Sequence, residues 1–94
     1  KQHHTLHVNH REISITPSEF DLLGTLLDHM DQVLSRDQLI ENIWGFNSDI
    51  EPRTIDSHMR NLRHRLKKAG FPVEDHLRTV YGVGYKWTSK GTGA

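Results

Sequence analysis

Residues 53–68 form the segment whose side chains are best suited to contact another molecule. At about 100° per residue along a helix, apolar and polar residues separate onto opposite sides. The apolar stripe consists of Ile55, Met59, Leu62 and Leu66. The opposite side carries Arg53, Ser57, Arg60, Asn61, His64 and Lys68. Guanidinium groups, an amide and a small hydroxyl are what base edges and phosphates require. The pattern indicates a helix that reads nucleic acid, although a merely solvated charged face has a similar composition.

The charge of the chain is divided between its two halves. Residues 1–52 hold three Lys or Arg against nine Asp or Glu, a net of minus six. Residues 53–94 hold nine against three, a net of plus six, so the formal net charge is zero. A phosphate backbone responds to the local basic patch, whereas the acidic remainder limits unselective binding. This asymmetry favours a nucleic-acid partner.

Length and composition exclude several other classes of protein. A chain of 94 residues allows one domain. The lack of cysteine excludes disulfides, thiolate metal ligands and a thiol nucleophile. No apolar run approaches membrane-spanning length, so we expect no membrane partner. We also expect a cytoplasmic location. The chain lacks an initiating methionine and a signal-like segment, which suggests a piece cut from a longer protein.

Neither a metal site nor a catalytic site is expected. Histidines crowd the first ten residues, at His3, His4, His7 and His10. If residues 4–8 form a strand, these side chains alternate between its faces, and no cysteine or paired carboxylate completes a tetrahedral set. Asp56, Ser57 and His58 are consecutive on a helix and diverge too far to act as a triad. We therefore expect no metal, no cofactor and no enzymatic activity.

The first elements of the chain are predicted to be a small antiparallel sheet and a helix. Residues 4–8 and 12–15 have the pattern of short strands joined by a polar turn. Residues 16–19 supply an N-cap, a first-turn proline and a capping-box carboxylate. The helix that they begin should end near residue 29 or 30. Its expected apolar face consists of Phe20, Leu23, Leu26, Leu27 and Met30.

Two more helices and a hairpin follow. Ser35 and Gln38 form a second capping box before a short helix that Gly45 ends. After a polar loop, Pro52 begins the helix of residues 53–68, and Gly70 ends it. Two strand patterns flanking Gly82-Val83-Gly84 then predict a hairpin, and no GxGxxG nucleotide-binding pattern is present. The expected fold is α+β, a winged helix-turn-helix with an N-terminal antiparallel sheet, three helices and a C-terminal β-hairpin wing.

Four segments resemble the DNA-binding effector domain of response regulators of the OmpR/PhoB type. They are ITPSEFDLL (15–23), SRDQLIENIWG (35–45), RTIDSHMRNLRHRL (53–66) and RTVYGVGYKW (78–87). Each segment alone is weak evidence for this family, but all four in this order are specific evidence. The resemblance implies that residues 1–94 are one effector domain with a four-stranded N-terminal sheet. It also implies a phosphorylated receiver domain that is absent from this chain.

The resemblance implies base-reading roles for four residues. Asn61 takes the position of a base-reading side chain, and its amide suits adenine N6 and N7. Ser57 is expected to make a close or apolar base contact, and Arg60 to contact either a guanine or a phosphate. Tyr81 stands where some members place an arginine that enters the minor groove. Because a phenol is neutral, we expect the wing to contribute more backbone contact and less shape readout.

Further positions match residues that the family directs at DNA phosphates or at RNA polymerase. The phosphate set is Trp44, Arg53, Thr54, His58, Arg63, Thr79 and Tyr85. For His58, packing against the edge of the helix is the alternative. The polymerase-contact set lies in the loop of residues 45–52 and comprises Phe46, Asn47, Asp49 and Glu51. A plain solvated loop remains the alternative there.

The sequence thus predicts a sequence-specific DNA-binding transcriptional regulator, the output domain of a two-component response regulator. Helix 53–68 should lie in the major groove, and wing 77–87 on the adjacent backbone or minor groove. The expected partners are double-stranded DNA with promoter direct repeats, a second copy bound head to tail, RNA polymerase, and a sensor histidine kinase acting through the absent receiver. The alternative is a winged-helix protein-interaction module whose basic face docks an acidic partner. Steep salt dependence and preference among DNA sequences distinguish the two.

Overall fold

A computed structural model of the protein describes residues 4–8 and 10–89, with only the backbone of His4. The elements in chain order are β1 (His4–Val8), β2 (Arg11–Ile15), α1 (Pro17–Asp28), β3 (Leu34–Ser35), α2 (Arg36–Trp44), α3 (Pro52–Lys68), a 3-10 turn (Val73–Asp75), β4 (Leu77–Val80) and β5 (Gly84–Trp87). This order confirms the predicted α+β winged helix with its sheet, helices and C-terminal hairpin.

The strands form two separate sheets. β1 and β2 pair antiparallel, with Val8 opposite Arg11. The expectation of four strands in this N-terminal sheet is wrong for the described residues, in which the sheet consists of β1 and β2. The second sheet has the order β3-β5-β4. Its strand β3 was not predicted, and it pairs Leu34 with Tyr85, so that the wing is tied to the start of α2.

The predicted capping boxes begin α1 and α2. The Thr16 hydroxyl accepts from the Glu19 amide at 3.1 Å, and Glu19 Oε1 accepts from the Thr16 amide at 3.1 Å. Ser35 and Gln38 make the same reciprocal pair at 3.1 and 2.8 Å. Each box satisfies amide groups that have no partner within the helix. Because these bonds span three residues, the two helix starts could be predicted from the sequence.

α3 begins at Pro52 and ends in a Schellman motif. Gly70 has a φ of 93° and its amide donates to the Lys67 carbonyl at 3.0 Å. The amide of Phe71 donates to the Leu66 carbonyl at 3.0 Å. These two bonds define the motif, and the left-handed backbone at its centre explains the glycine. The predicted stop at Gly70 is confirmed.

The core lies among the three helices and the wing sheet. The predicted stripe of α3 is confirmed, since Ile55, Met59, Leu62 and Leu66 are all buried. The predicted face of α1 is only partly right. Leu23 and Leu26 are buried, but the other buried residues of this helix are Glu19 and Leu22. Phe20, Leu27 and Met30 are 38–43% exposed, because α1 turns its Glu19–Leu22–Leu26 side toward α3.

Candidate nucleic-acid interface

The exposed side of α3 carries the residues predicted to read bases. Ser57, Arg60 and Asn61 are all exposed, and the buried stripe on the opposite side anchors the helix to the core. A helix of 17 residues is about 26 Å long. The major groove is about 12 Å wide and accepts a helix of this kind. The geometry therefore leaves these side chains available to a ligand along the whole helix.

The residues predicted to contact phosphates around the start of α3 differ in how exposed they are. Arg53 is exposed, and its Nε lies 2.8 Å from Glu51 Oε1 in a solvated ion pair that holds it only weakly. Thr54 is half-buried. His58 is half-buried and stacks on Trp44, with ring centroids 6.1 Å apart. This stacking is the packing alternative for His58, and it leaves part of the ring accessible.

The wing carries its predicted residues in two environments. Tyr81 is 90% exposed in the turn between β4 and β5. Arg63 reaches from α3 to the wing, where its Nη2 donates to the Leu77 carbonyl at 3.1 Å and to Thr79 Oγ1 at 2.7 Å. An open groove runs between α3 and the wing. It is lined by Arg63, Glu74, Leu77, Arg78, Thr79 and Tyr81. Two of these residues are arginines, and both have internal partners, because Arg63 bonds to Leu77 and Thr79 while Arg78 Nη1 donates to the Glu74 carbonyl at 3.4 Å.

Tyr85, on β5 of the wing, is buried, with 4% of its surface exposed. Its hydroxyl donates to Asp56 Oδ1 at 2.5 Å, and Arg36 Nε donates to the same oxygen at 2.8 Å. The guanidinium carbons of Arg36 and Arg63 lie 5.7 and 5.9 Å from the centre of the Tyr85 ring, within cation–π range. The phosphate contact expected of Tyr85 stays a prediction, and here its hydroxyl has an internal partner.

Burial and hydrogen bonds shift the pKa values of the cluster formed by Arg36, Asp56 and Tyr85. Burial, reinforced by the hydrogen bond to Asp56, raises the pKa of Tyr85 to about 12. Burial alone would raise the pKa of Asp56, but the hydrogen bonds from Tyr85 and Arg36 outweigh it and hold that pKa below its ordinary value. The hydrogen bond to Asp56 raises the pKa of Arg36. The cluster is therefore a carboxylate, a guanidinium and a neutral phenol at neutral pH.

Sequence reasoning missed Arg36 and Asp56. Asp56 is the single carboxylate of the otherwise cationic segment 53–68, and this was the available signal. A lone negative charge beside a phosphate-binding face is unfavourable unless a nearby cation compensates it. The cation, Arg36, lies twenty residues earlier on another helix, and its partnership could not be seen without the fold.

Residues 10–87 match the family described as "Transcriptional regulatory protein, C terminal". The chain belongs to this family. Response regulator ArlR of Staphylococcus epidermidis is 38% identical over 78 residues, which cover 83% of this chain and 35% of ArlR. The chain thus spans about a third of the length of that relative. The match confirms the OmpR/PhoB-type resemblance, and the family is defined by transcription regulation rather than by a catalysed reaction.

Solved structures of this family have the same fold. The C-terminal domain of the nisin resistance regulator NsrR is 34% identical with a TM-score of 0.73, covering 88% of this chain and 82% of that one. The AdeR DNA-binding domain in complex with an intercistronic region is 29% identical with a TM-score of 0.76, covering 93% and 87%. The Klebsiella pneumoniae RstA DNA-binding domain in complex with the RstA box is 27% identical with a TM-score of 0.73, covering 89% and 82%.

The loop between α2 and α3 of this transcription-regulatory domain is largely exposed. Phe46 has 84% of its surface exposed, and Asn47 and Asp49 are exposed beside it. Ile50 of the same loop is half-buried and packs against the core. Its amide donates to the Ser48 hydroxyl at 3.0 Å. Phe46 is therefore the apolar residue that the loop offers to a partner.

The described residues show neither a metal-binding cluster nor a membrane span. Within residues 4–8 and 10–89, no three His, Asp or Glu side chains come together to hold a metal ion. His3 and the side chain of His4, part of the predicted histidine group, lie outside the described residues. No helix in this part of the chain has the length and apolar content needed to cross a membrane.

Proposed function

We propose that this chain binds double-stranded DNA sequence-specifically and is the output domain of a two-component response regulator. The observation that carries the proposal is α3, whose buried stripe anchors it while Ser57, Arg60 and Asn61 remain exposed. Family membership supports it, as do the similar AdeR and RstA domains, whose structures are complexes with an intercistronic region and with the RstA box.

In this proposal α3 lies in the major groove and the wing lies beside it. Asn61 pairs with adenine, which contributes roughly 1 to 3 kcal/mol of discrimination. Ser57 approaches a base closely, and Arg60 contacts a guanine or a phosphate. Arg53 and the positive end of the α3 dipole bind phosphates at the start of the helix. Tyr81 contacts the adjacent backbone or the minor groove.

The remaining proposed partners are those of a longer protein that contains this chain. Residues 1–94 act as one effector domain, and a receiver domain outside this chain accepts a phosphoryl group from a sensor histidine kinase. Two copies bind head to tail on a promoter direct repeat, in the cytoplasm. The support is the likeness to response regulator ArlR, of which this chain spans about a third.

The α2–α3 loop is proposed to contact RNA polymerase, because Phe46 is 84% exposed and is flanked by the polar residues Asn47 and Asp49. Glu51 is a poor probe of this contact, since its carboxylate lies 2.8 Å from Arg53, and replacing it would remove a negative charge beside a residue expected to contact phosphate. Phe46→Ala combined with Asp49→Ala should spare DNA binding and reduce activated transcription in a reconstituted assay. Unchanged transcription would contradict the contact.

The DNA-binding proposal is tested by fluorescence-anisotropy titration of selected and randomised duplexes at several salt concentrations. Asn61→Ala should relax selectivity at particular base pairs by about 5- to 150-fold, the equivalent of 1 to 3 kcal/mol. Arg60→Ala should either do the same at a guanine or reduce the salt dependence. Asn42→Ala is the matched control, because Asn42 is exposed on α2 beside α1. Binding without any sequence preference would refute the proposal and favour an acidic protein partner.

A further inference from the structure

Asp56 is the one carboxylate on α3, and its side chain points toward the wing rather than away from the protein. Its Oδ1 accepts hydrogen bonds from the Tyr85 hydroxyl and from Arg36 Nε, at 2.5 and 2.8 Å. These partners lie on β5 and at the first residue of α2. One oxygen atom therefore joins the helix that faces the ligand, the helix before it and the wing.

A second connection between α3 and the wing lies two helical turns from Asp56. Arg63 follows Asp56 by seven residues, so both lie on the same side of α3. Arg63 donates to the Leu77 carbonyl and to Thr79 Oγ1 on β4. Two attachments along one helix restrain the direction of the wing as well as its distance. The β3–β5 pairing, which places Leu34 opposite Tyr85, holds the phenol beside the first turn of α2.

We propose that Asp56 is a positioning residue, which contacts no DNA itself and fixes the wing relative to α3 through Tyr85 and Arg36. The wing then meets the duplex at a set distance from the base pairs that α3 reads. This inference rests on the proposed DNA-binding function. It assigns Asp56 a role in the specificity of the wing side of the site, although the negative charge of Asp56 repels that of DNA.

A purely electrostatic role of Asp56 and a positioning role predict different results when Asp56 is replaced. If the carboxylate acted only as a negative charge near phosphates, Asp56→Ala would tighten DNA binding, because repulsion is removed and Arg36 is released. If the carboxylate positions the wing, the same replacement loosens the wing and weakens selectivity on its side. Asp21→Ala is the matched control, since it removes an exposed carboxylate of α1 and changes the net charge equally.

The first arm of the test measures the wing in the free protein. The chain has no cysteine, so introduced cysteines are the only sites that accept spin labels. We place them by Lys68→Cys on α3 and Val83→Cys in the wing turn, both at exposed positions. Electron–electron resonance should give one narrow distance distribution, and Asp56→Ala and Tyr85→Phe should each broaden it. Tyr85→Phe keeps the ring and removes only the hydroxyl. Circular dichroism verifies that every variant is folded, and an unchanged distribution in both variants overturns the proposal.

The second arm measures selectivity at the two ends of a selected duplex. Asp56→Ala and Tyr85→Phe should each reduce discrimination of substitutions under the wing by about fivefold, a loss of about 1 kcal/mol. The double variant should lose no more than Asp56→Ala alone, because that replacement already removes the bond to Tyr85. Discrimination at the base pair read by Asn61 should persist. Tighter binding of Asp56→Ala with unchanged discrimination overturns the positioning role. If the wild-type chain shows no preference among DNA sequences, the proposed function is refuted. The spin-label distances then still decide whether Asp56 positions the wing.

Discussion

Replacing Tyr85 with phenylalanine tests the hydrogen bond between Tyr85 and Asp56 through the pH dependence of the protein's stability. Burial and the hydrogen bond to Asp56 raise the pKa of Tyr85 from its ordinary 10.0 to about 12. Each pKa unit corresponds to roughly 1.4 kcal/mol, so the rise corresponds to about 3 kcal/mol in favour of the neutral hydroxyl. A hydrogen bond to a charged group contributes about 1.5 to 3 kcal/mol. Tyr85→Phe should therefore lower the free energy of unfolding at neutral pH by an amount in that range.

The sign of the pH dependence follows from the raised pKa. Below pH about 10 the hydroxyl is protonated in both the folded and the unfolded chain, and its contribution is complete. Between pH about 10 and about 12 the unfolded tyrosine ionises while the folded one stays neutral. The unfolded state then binds fewer protons, so the free energy of unfolding falls as the pH rises. Tyr85→Phe should remove this part of the decline.

The assay uses a Tyr81→Phe background, in which Tyr85 is the sole tyrosine because the chain has two. Tyrosinate absorbance should titrate with a midpoint of about 12. Urea unfolding of Tyr81→Phe, with and without Tyr85→Phe, then gives the difference in stability across the alkaline range. A midpoint near the ordinary 10.0, or a stability difference that does not change with pH, would refute the pairing of the Tyr85 hydroxyl with Asp56.

Three more predictions concern stability and can be checked by thermal melts monitored by circular dichroism. Gly84→Ala should destabilise the fold by at least about 2 kcal/mol, because a Cβ there would overlap the Leu34 backbone; a stable variant would contradict the β3–β5 register. Gly24→Ala should stabilise by about 1 kcal/mol, since nothing lies within 4 Å of the added Cβ and helices favour alanine; destabilisation would show a contact there. Leu62→Ala should cost about 2 to 5 kcal/mol, whereas Asn61→Ala should stay within about 0.5 kcal/mol, and equal losses would contradict the assigned faces of α3.

The local elements could be predicted because their causes lie within a few residues. The capping boxes at Thr16 and Ser35 each depend on a partner three residues on. The Schellman end of α3 requires one glycine, and the buried stripe of α3 repeats with the period of the helix itself. Interactions of this range leave patterns in the sequence, which is why the order of elements and the exposed face of α3 were correct.

The errors of prediction at β3 and α1 both involve contacts between distant segments. β3 has two residues and no strand pattern, and it exists because β5 pairs with it. The side of α1 that is buried depends on where α3 packs, so Leu22 is inside while Phe20 is 38% exposed. Glu19 is buried because its carboxylate meets Arg65 of α3 at 3.0 Å. Patterns within α1 could not distinguish these outcomes, because several of its apolar residues form more than one plausible face.

The candidate interface divides in the same way. The sequence by itself determined the identity of α3, its cationic outer face and the exposure of Ser57, Arg60 and Asn61, because helical periodicity alone separates an anchored side from an exposed one. Only the tertiary structure decided that Asp56 bonds to Arg36 and Tyr85, twenty and twenty-nine residues away. The position of the wing relative to α3 depends on those bonds, and a hydrogen bond between distant residues exists only where the packed fold brings donor and acceptor together.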